Sequence, residues 1–528
     1  MRLPLLEFVF KLACVFVTGV NGFPKRKDHR SWANERAMAA VNADGRVASW
    51  GQADKGGSGF PTTGNAVSVY TSANAMAALK SDGKVVAWGS GTAGSGAPTD
   101  SGYVEIFSTS GAFVAMKEDG SIACWGNCVN APSDAGYNDF SSTYYGGMVL
   151  IKEGGTLTCF GHNNYGGNPS DCPTGDGFVK VFSNYGAFVA LKHDGSLASW
   201  GSGGDGGSGA PTDSGYVDVT AAWHAFCARK ADGTVVSWGA GANGGSGFPS
   251  DGGYINVFST SYAFAALKAD GSLTCWGDQW HGGSGTLYNG CPTSGHACTV
   301  CTGADKDPPP TTPVSKVYAI QDSFAAIMAD GSVYAWGGTA RLGIPSGTDF
   351  VNIYTTTWAV LAERSDGKFE CWGGANYGCN GEPKPTDGGY VEVVSTGHSF
   401  TGRKADGSLT SWGAACCGGS GPPTGAGWSL NFTWMHDQNL PPPPPPSPYP
   451  LPPPPPPAGA SAGEACVEDV DCAGALKCRC SDAAHSRRAR LLKKVSPRHQ
   501  DPSPAKSNRP GSRNLLFGAP KPCSHVCG

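Results

Sequence analysis

Beyond its N-terminus the 528-residue chain lacks long hydrophobic runs. No later segment reaches the roughly 18 apolar residues that a membrane-crossing helix needs, which argues against a helical span there. Net charge is also missing. Lys and Arg number 38 against 42 Asp and Glu, −4 overall, so no nucleic acid is expected as a partner for the whole molecule. The balance is uneven: residues 477–521 hold 12 Lys and Arg against 2 acids, leaving 26 against 40 elsewhere, a balance of −14. The spacings of metal chemistry are absent. No two C-x-x-C pairs stand at zinc-ligand separation, and no D-x-[DN]-x-[DN]-G loop offers oxygens to calcium. No glycine-rich phosphate cradle lies between a strand and a helix. The histidines are scattered (His162, His193, His224, His281, His398). The acids recur in register with a repeat rather than singly. No catalytic residue is assigned, and no cofactor or metal is expected.

What is abundant is periodic. An apolar stretch, an Asp-Gly or close variant, and a short strand ending in Trp-Gly recur ten times. The Trp falls at Trp50, Trp88, Trp125, Trp200, Trp238, Trp276, Trp336, Trp372 and Trp412, with Phe160 standing in once. Such a period signals a repeat architecture. Residues 254–291 show one unit most clearly. YINVFST alternates as a strand, AFAALKAD is a second, Asp270-Gly271 forms a tight turn, and SLTCWG is a third. A Gly-rich loop and a TDSGYV-like lead into the next unit follow. A sheet of three or four short strands cannot bury both faces alone, so the units are expected to stack as blades of an all-β propeller. The Trp of each unit is read as packing between blades, each ring removing about 150–250 Å² from water. The rival is an aromatic ladder for sugars.

The ends of the repeat region suggest closure. Unit one lacks an alternating first strand, and after the last Trp-Gly the chain continues GWSLNFTWM. The segment Trp428–Met435 is expected to fill the vacancy beside Ala37–Val41, removing two exposed sheet edges. The organisation is then a signal peptide over 1–22 or an uncleaved anchor, propeller repeats over 29–440, a polyproline linker over 441–457, and a Cys-rich module over 458–528 with a basic, disordered insert. Asn431-Phe432-Thr433 is the sole glycosylation sequon.

The 20 cysteines point to an oxidising compartment. Cys124, Cys159, Cys275 and Cys371 directly precede the closing aromatic, and each has a second Cys downstream: Cys128, Cys172, Cys291 and Cys379. Repeats with Ser or Ala in that slot lack the loop Cys. The correlation predicts local disulfides, each contributing about 2–3 kcal/mol by loop-closure entropy. Cys298 and Cys301 suggest another local bridge, Cys416 and Cys417 are vicinal, and Cys227 reads as a free buried thiol.

The unit resembles the repeat of the regulator of chromosome condensation superfamily, which also contains the secreted type II beta-lactamase inhibitor proteins. The matching residues are Gly397-His398 with Asp406-Gly407 and Trp412-Gly413, together with Asn164-Tyr165-Gly166, Asn376-Tyr377-Gly378 and Arg341-Leu342-Gly343. The resemblance covers residues 36–435 and implies a propeller. Its repeated His is mostly replaced, by Ala75, Ala112, Ala187 and Ala263, and GGSG replaces the usual loop. Familiar members have seven blades, so ten units leave one ring, two smaller rings or an open spiral. The chromatin members activate a small nuclear GTPase. No inserted wedge is identified here, and export with disulfides argues against that role.

Loops after Trp-Gly share one rim, where rigid scaffolds display function. The most deviant, 161–172, 278–316 and 374–385, carry the candidate ligand-binding residues Asn163, Asn164, Tyr165, Trp280, His281, Asn376 and Tyr377. Trp223-His224 and Trp280-His281 also break the pattern, as pocket lining or ordinary variation. The expected function is a secreted or cell-surface scaffold binding an unknown protein, with a carbohydrate- or cell-wall-binding propeller as the alternative. A guanine-nucleotide exchange factor and a propeller hydrolase are further readings.

Overall fold

A computed structural model of the chain describes residues 34–62, 64–283, 313–338, 340, 343–374, 377–379 and 385–430. All fall within the first of the two units into which the chain divides, Met1–Pro445. The leader, the polyproline segment, the Cys-rich module, the sequon, Cys291, Cys298, Cys301 and Asn376 lie outside the described residues.

Ten three-stranded antiparallel sheets follow one another. They are numbered here as blades in chain order: 37–51 with 428–429 (blade 1), 66–89, 103–126, 137–161, 178–201, 216–239, 254–277, 314–337, 350–373 and 390–413 (blade 10). Blade 7 shows why the sequence folds this way. Its strands are Tyr254–Ser259, Ala263–Lys268 and Leu273–Gly277. The middle strand is buried on both faces, with Phe264 opposite Trp276 and Leu267 opposite Leu273. Asp270 accepts from the Ser272 backbone N–H at 2.9 Å and from its hydroxyl at 2.7 Å. Gly271 has φ +83°, a left-handed turn position that a side chain would strain.

Small and large faces alternate around the assembly. Phe264, Ala266 and Trp276 of blade 7 pack against Ala225 and Cys227 of blade 6. On its other face, Ala263, Ala265 and Leu267 receive Phe324 and Trp336 of blade 8. At both junctions of blade 7 a bulky aromatic pair thus meets small side chains, which lets the sheets approach closely. Cys227 occupies an alanine-like slot, free and buried.

Ten such interfaces join ten blades in succession, and the last joins blade 10 to blade 1 through Val394, Leu409, Met38, Trp50 and Leu430. The ten described repeats therefore form one closed ring, not two rings or a spiral. The closing strand is Trp428–Ser429, with Val41 opposite Ser429 and Asn42 opposite Trp428. Of the expected segment 428–435, residues 431–435 lie outside the described residues.

The nine repeat tryptophans are at most 5 % exposed, so they form no open sugar-stacking ladder. Seven donate their indole N–H to a backbone carbonyl in the loop of the preceding blade, at 2.6–3.1 Å: Trp50, Trp88, Trp125, Trp200, Trp238, Trp276 and Trp372. That loop is a single 3-10 turn ending in a left-handed glycine in most blades. At Gly244 (φ +93°) an added Cβ would lie 2.5 Å from the Phe264 ring, so the glycine serves both the turn and the junction.

Disulfides link Cys124–Cys128, Cys159–Cys172 and Cys371–Cys379, with Cα separations of 6.1, 5.7 and 5.4 Å. Cys275 is disulfide-bonded as well.

Candidate functional site

Two loops of each blade meet on one face: the turn between its first and second strands, and the 3-10 turn after its Trp-Gly. In six blades a single polar side chain ahead of the middle strand holds them together. Thr143, Thr260, Thr356 and Thr396 donate to the carbonyls of Tyr165, His281, Tyr377 and Cys417 at 2.6–3.2 Å. Asn34 and Asn184 do the same to Lys55 and Asp205. The same Thr and Asn oxygens accept from the backbone N–H that opens the second strand, as in Ala187 to Asn184 at 2.9 Å.

The strand turns are also bonded blade to blade. Tyr144, Tyr145, Tyr185 and Trp223 donate their backbone N–H groups to the carbonyls of Asn184, Tyr185, Trp223 and Ser261, and Ser261 donates to Gln321. Farther round, Thr357 donates to Gly397 and Gly397 to Glu35. The ends of first strands bond likewise, as Ser108 Oγ to Thr71 O at 2.6 Å and Ser259 Oγ to Ala221 O at 2.8 Å. These bonds place the first strands and their turns toward the centre of the ring.

On this rigid collar blades 4 to 7 carry aromatic side chains. Tyr144 stacks on Tyr185 with ring centroids 4.4 Å apart, and Tyr145 stacks on Tyr165 at 4.4 Å. Tyr185 contacts Trp223 at 4.6 Å, Trp223 contacts Tyr262 at 5.3 Å, and Tyr262 meets His281 edge-on at 4.5 Å. His162 continues the arc from Tyr165 and His224 fills it between Tyr185 and Tyr262. A shorter patch on blades 9 and 10 comprises Trp358, Tyr377 and His398. Tyr145 is exposed; the other ring residues except His162 are half-buried. Burial, first of all, pushes the Tyr144, Tyr185 and Tyr262 phenols above their ordinary range; Glu35 adds to it at Tyr144, and Asp278 at Tyr262. They are neutral hydrogen-bond donors at neutral pH. His224 Nδ1 lies 2.5 Å from Asp205 Oδ1, and His281 Nδ1 lies 2.6 Å from Asp278 Oδ1, which fixes both imidazoles.

The arc ends at a polar cavity of about 320 Å³, lined by Glu35, Arg36, Gln52, Asp54, Lys55 and Asn74 with Tyr144. Two acids face two bases there. Lys55 Nζ donates to Asn74 Oδ1 at 2.5 Å and Arg36 Nη1 to Gln52 Oε1 at 3.4 Å.

Of the sequence candidates, Tyr165, His281 and Tyr377 lie against the collar. Asn163 and Asn164 are exposed on the turn that carries Tyr165. Trp280 stands 61 % exposed beside His281. Sequence reasoning missed Tyr144, Tyr145, Tyr185, Tyr262 and Trp358, because they lie in the strand turns and not in the loops after Trp-Gly. Their signal was present: blades 2 and 3 have Ala73-Asn74 and Ser110-Gly111 at the strand turn, where blades 4 to 7 have Tyr or Trp. Among the described residues no group of three or more His, Cys, Asp or Glu could hold a metal ion. The arrangement offers π faces, hydroxyls and fixed imidazoles to a ligand.

No protein-family model and no curated protein matches the chain. Among solved structures it is similar to the Crinkly WD40 ectodomain of the Arabidopsis thaliana receptor kinase ACR4, at 19% identity over 52% of this chain and 94% of that one, TM-score 0.29. It is also similar to the ectodomain of the Physcomitrella patens receptor kinase CR4, at 18% identity over 52% and 73%, TM-score 0.31. Prp20p from Saccharomyces cerevisiae matches at 14% identity over 60% and 84%, TM-score 0.30. The architecture itself stands on ten consecutive sheets and ten successive interfaces: the chain is a repeat β-propeller.

Proposed function

We propose that the chain is a secreted or cell-surface binding scaffold, not an enzyme, and that it takes a protein partner on the aromatic face of the ring. The observation that carries this reading is the continuous arc from Tyr165 through Tyr145, Tyr185 and Trp223 to Tyr262. Tyr and Trp give large contact area at low conformational cost and dominate interface hot spots. Here their backbones are tied blade to blade, so little ordering is left for binding to cost. The disulfides support a location outside the reducing cytosol. The Trp-Gly and Asp-Gly grammar supports a place near the regulator of chromosome condensation superfamily, on its secreted side.

The test is capture of surface or culture-medium proteins on the immobilised full chain, beside a Tyr145→Ala/Tyr185→Ala variant of matched melting temperature. Wild type should retain a protein that the variant releases. Equal retention by both sinks the reading. The polar cavity favours a second reading, a glycan held by paired charges and amides against Tyr144. Binding on a glycan array that Arg36→Ala abolishes would favour it instead.

A further inference from the structure

Cys416 and Cys417 occupy the 3-10 turn Ala415–Cys417 that follows the last strand of blade 10. Their sulfur atoms are 2.6 Å apart, well inside the about 3.5–4.0 Å of an ordinary non-bonded contact. Both are free thiols in the structure, Cys416 exposed and Cys417 buried. Three pairs of the other described cysteines are joined, Cys275 is bonded, and Cys227 is sealed in the blade 6 interface. Among the described residues, each of the two thiols therefore has the other as its neighbour.

The turn is also where the ring closes. The Cys417 carbonyl accepts from Thr396 Oγ1 at 3.0 Å and Ser399 Oγ at 2.8 Å, both in blade 10. The next carbonyl, of Gly418, accepts the indole N–H of Trp50 in blade 1 at 3.1 Å. The backbone that follows the pair thus holds both sides of the seam.

We infer that Cys416 and Cys417 form a vicinal redox pair, closed as a disulfide in the exported protein and opening before the propeller's described disulfides under mild reduction. Neighbouring Cα atoms are about 3.8 Å apart across a trans peptide, whereas a relaxed disulfide spans about 4.4–6.8 Å. The ring formed by adjacent cysteines is therefore strained, and strained, exposed disulfides are the labile ones. Closure needs an oxidant, and a small-molecule or protein disulfide supplies it. Burial pushes the Cys417 thiol up to about 12, so the exposed Cys416 reacts first. Its thiolate attacks one sulfur of the donor disulfide and expels a thiolate. The Cys417 sulfur then attacks Cys416, forming the vicinal bond and expelling the donor from the mixed disulfide. Two cysteine protons end on two donor thiols, and the donor is reduced by two electrons.

The test is two-step thiol trapping on the full chain recovered from culture medium. Free thiols are alkylated under denaturing conditions, disulfides are then reduced, and the new thiols take a second, isotopically distinct label. Cys227 should carry the first label. Cys416 and Cys417 should both carry the second, and before reduction their peptide should lack two hydrogen atoms and be joined to no other. First label on either residue, or linkage to another peptide, overturns the inference. In a graded reductant series, the pair should open before Cys124–Cys128, Cys159–Cys172 and Cys371–Cys379. Opening together with them or later overturns the lability. A Cys417→Ser chain should leave Cys416 open to the first label or to a mixed disulfide with a small thiol. If Cys416 instead pairs with another cysteine of the chain, the assignment fails. The Cys416→Ser/Cys417→Ser chain, with an unchanged fold by circular dichroism, controls for loss of structure.

Discussion

At the scale of single residues, the indole N–H separates tryptophans that look identical in sequence. Trp238 donates to the Gly206 carbonyl at 3.0 Å. Trp336 and Trp412 are equally buried, yet among the described residues their N–H groups have no partner. These two follow the loops 278–316 and 374–385, two of the three that depart most from the repeat; Trp200, after the third, still donates to Gly166 at 3.0 Å. A buried polar group left unpaired costs about 1–3 kcal/mol. Trp238→Phe leaves the Gly206 carbonyl orphaned and should lower stability by about that amount, beyond the lost volume. Trp336→Phe removes an unpaired donor along with the same volume, so the two effects offset and the change should be small. Thermal melts of both variants check the order; a larger loss for Trp336→Phe would refute it. Cys227 belongs to the same scale. Its thiol is fully enclosed, and burial pushes it up to about 12, which makes it inert to thiol reagents in the folded ring.

At the scale of elements, a clamp recurs at the start of each of five first strands. Tyr103, Tyr137, Tyr216, Tyr254 and Tyr390 donate their hydroxyls at 2.6–3.1 Å to the Asp three residues earlier: Asp100, Asp134, Asp213, Asp251 and Asp387. Lys117, Lys152, Lys230, Lys268 and Lys404, at the end of the middle strand, bond the other oxygen of the same Asp. Each Lys also sits 4.8–5.2 Å over the Tyr ring. The Lys bond, before all else, holds these carboxyls below their ordinary range. A carboxyl lowered by folding stabilises the protein above its unfolded value of about 3.9, and that stability is lost as pH falls through the folded value. The tyrosines move the other way, chiefly through burial, Tyr137 up to about 12. Their contribution is full below about pH 10 and is lost as pH rises through the folded value. Melting temperature should therefore hold through neutral pH and fall at both extremes. A chain with Asn in place of all five Asp should show a flatter acid limb; an unchanged slope would refute the role of the clamps. The TDSGYV-like lead was legible in sequence, since its Asp, Gly and Tyr recur. Its Lys partner was not, because it lies 14 or 15 residues after the Tyr and only strand register brings them together.

At the scale of the whole molecule, the propeller was legible because one short phrase returns ten times, and the local disulfides because loop and strand cysteines co-occur. The aromatic face was only half legible. Its residues come from two loops per blade, and the Thr or Asn that ties those loops shows no period of its own until the hydrogen bonds are seen. Closure was legible from the mismatched ends, and it governs how the ring stands. Blade 1 has a third strand only by borrowing Trp428–Ser429. Without that strand, Met38, Ala40 and Trp50 lose Leu430 and Trp428, and Ala37–Asn42 becomes an open edge. Removing a buried leucine or tryptophan side chain costs about 2–5 kcal/mol, and the exposed edge invites pairing between molecules. A chain ending at Gly427 should thus melt well below the intact protein and aggregate, whereas one ending at Pro445 should melt as the intact protein does. Differential scanning calorimetry with light scattering on both truncations makes the comparison. Equal melting of the two would mean that the ring holds without its closing strand.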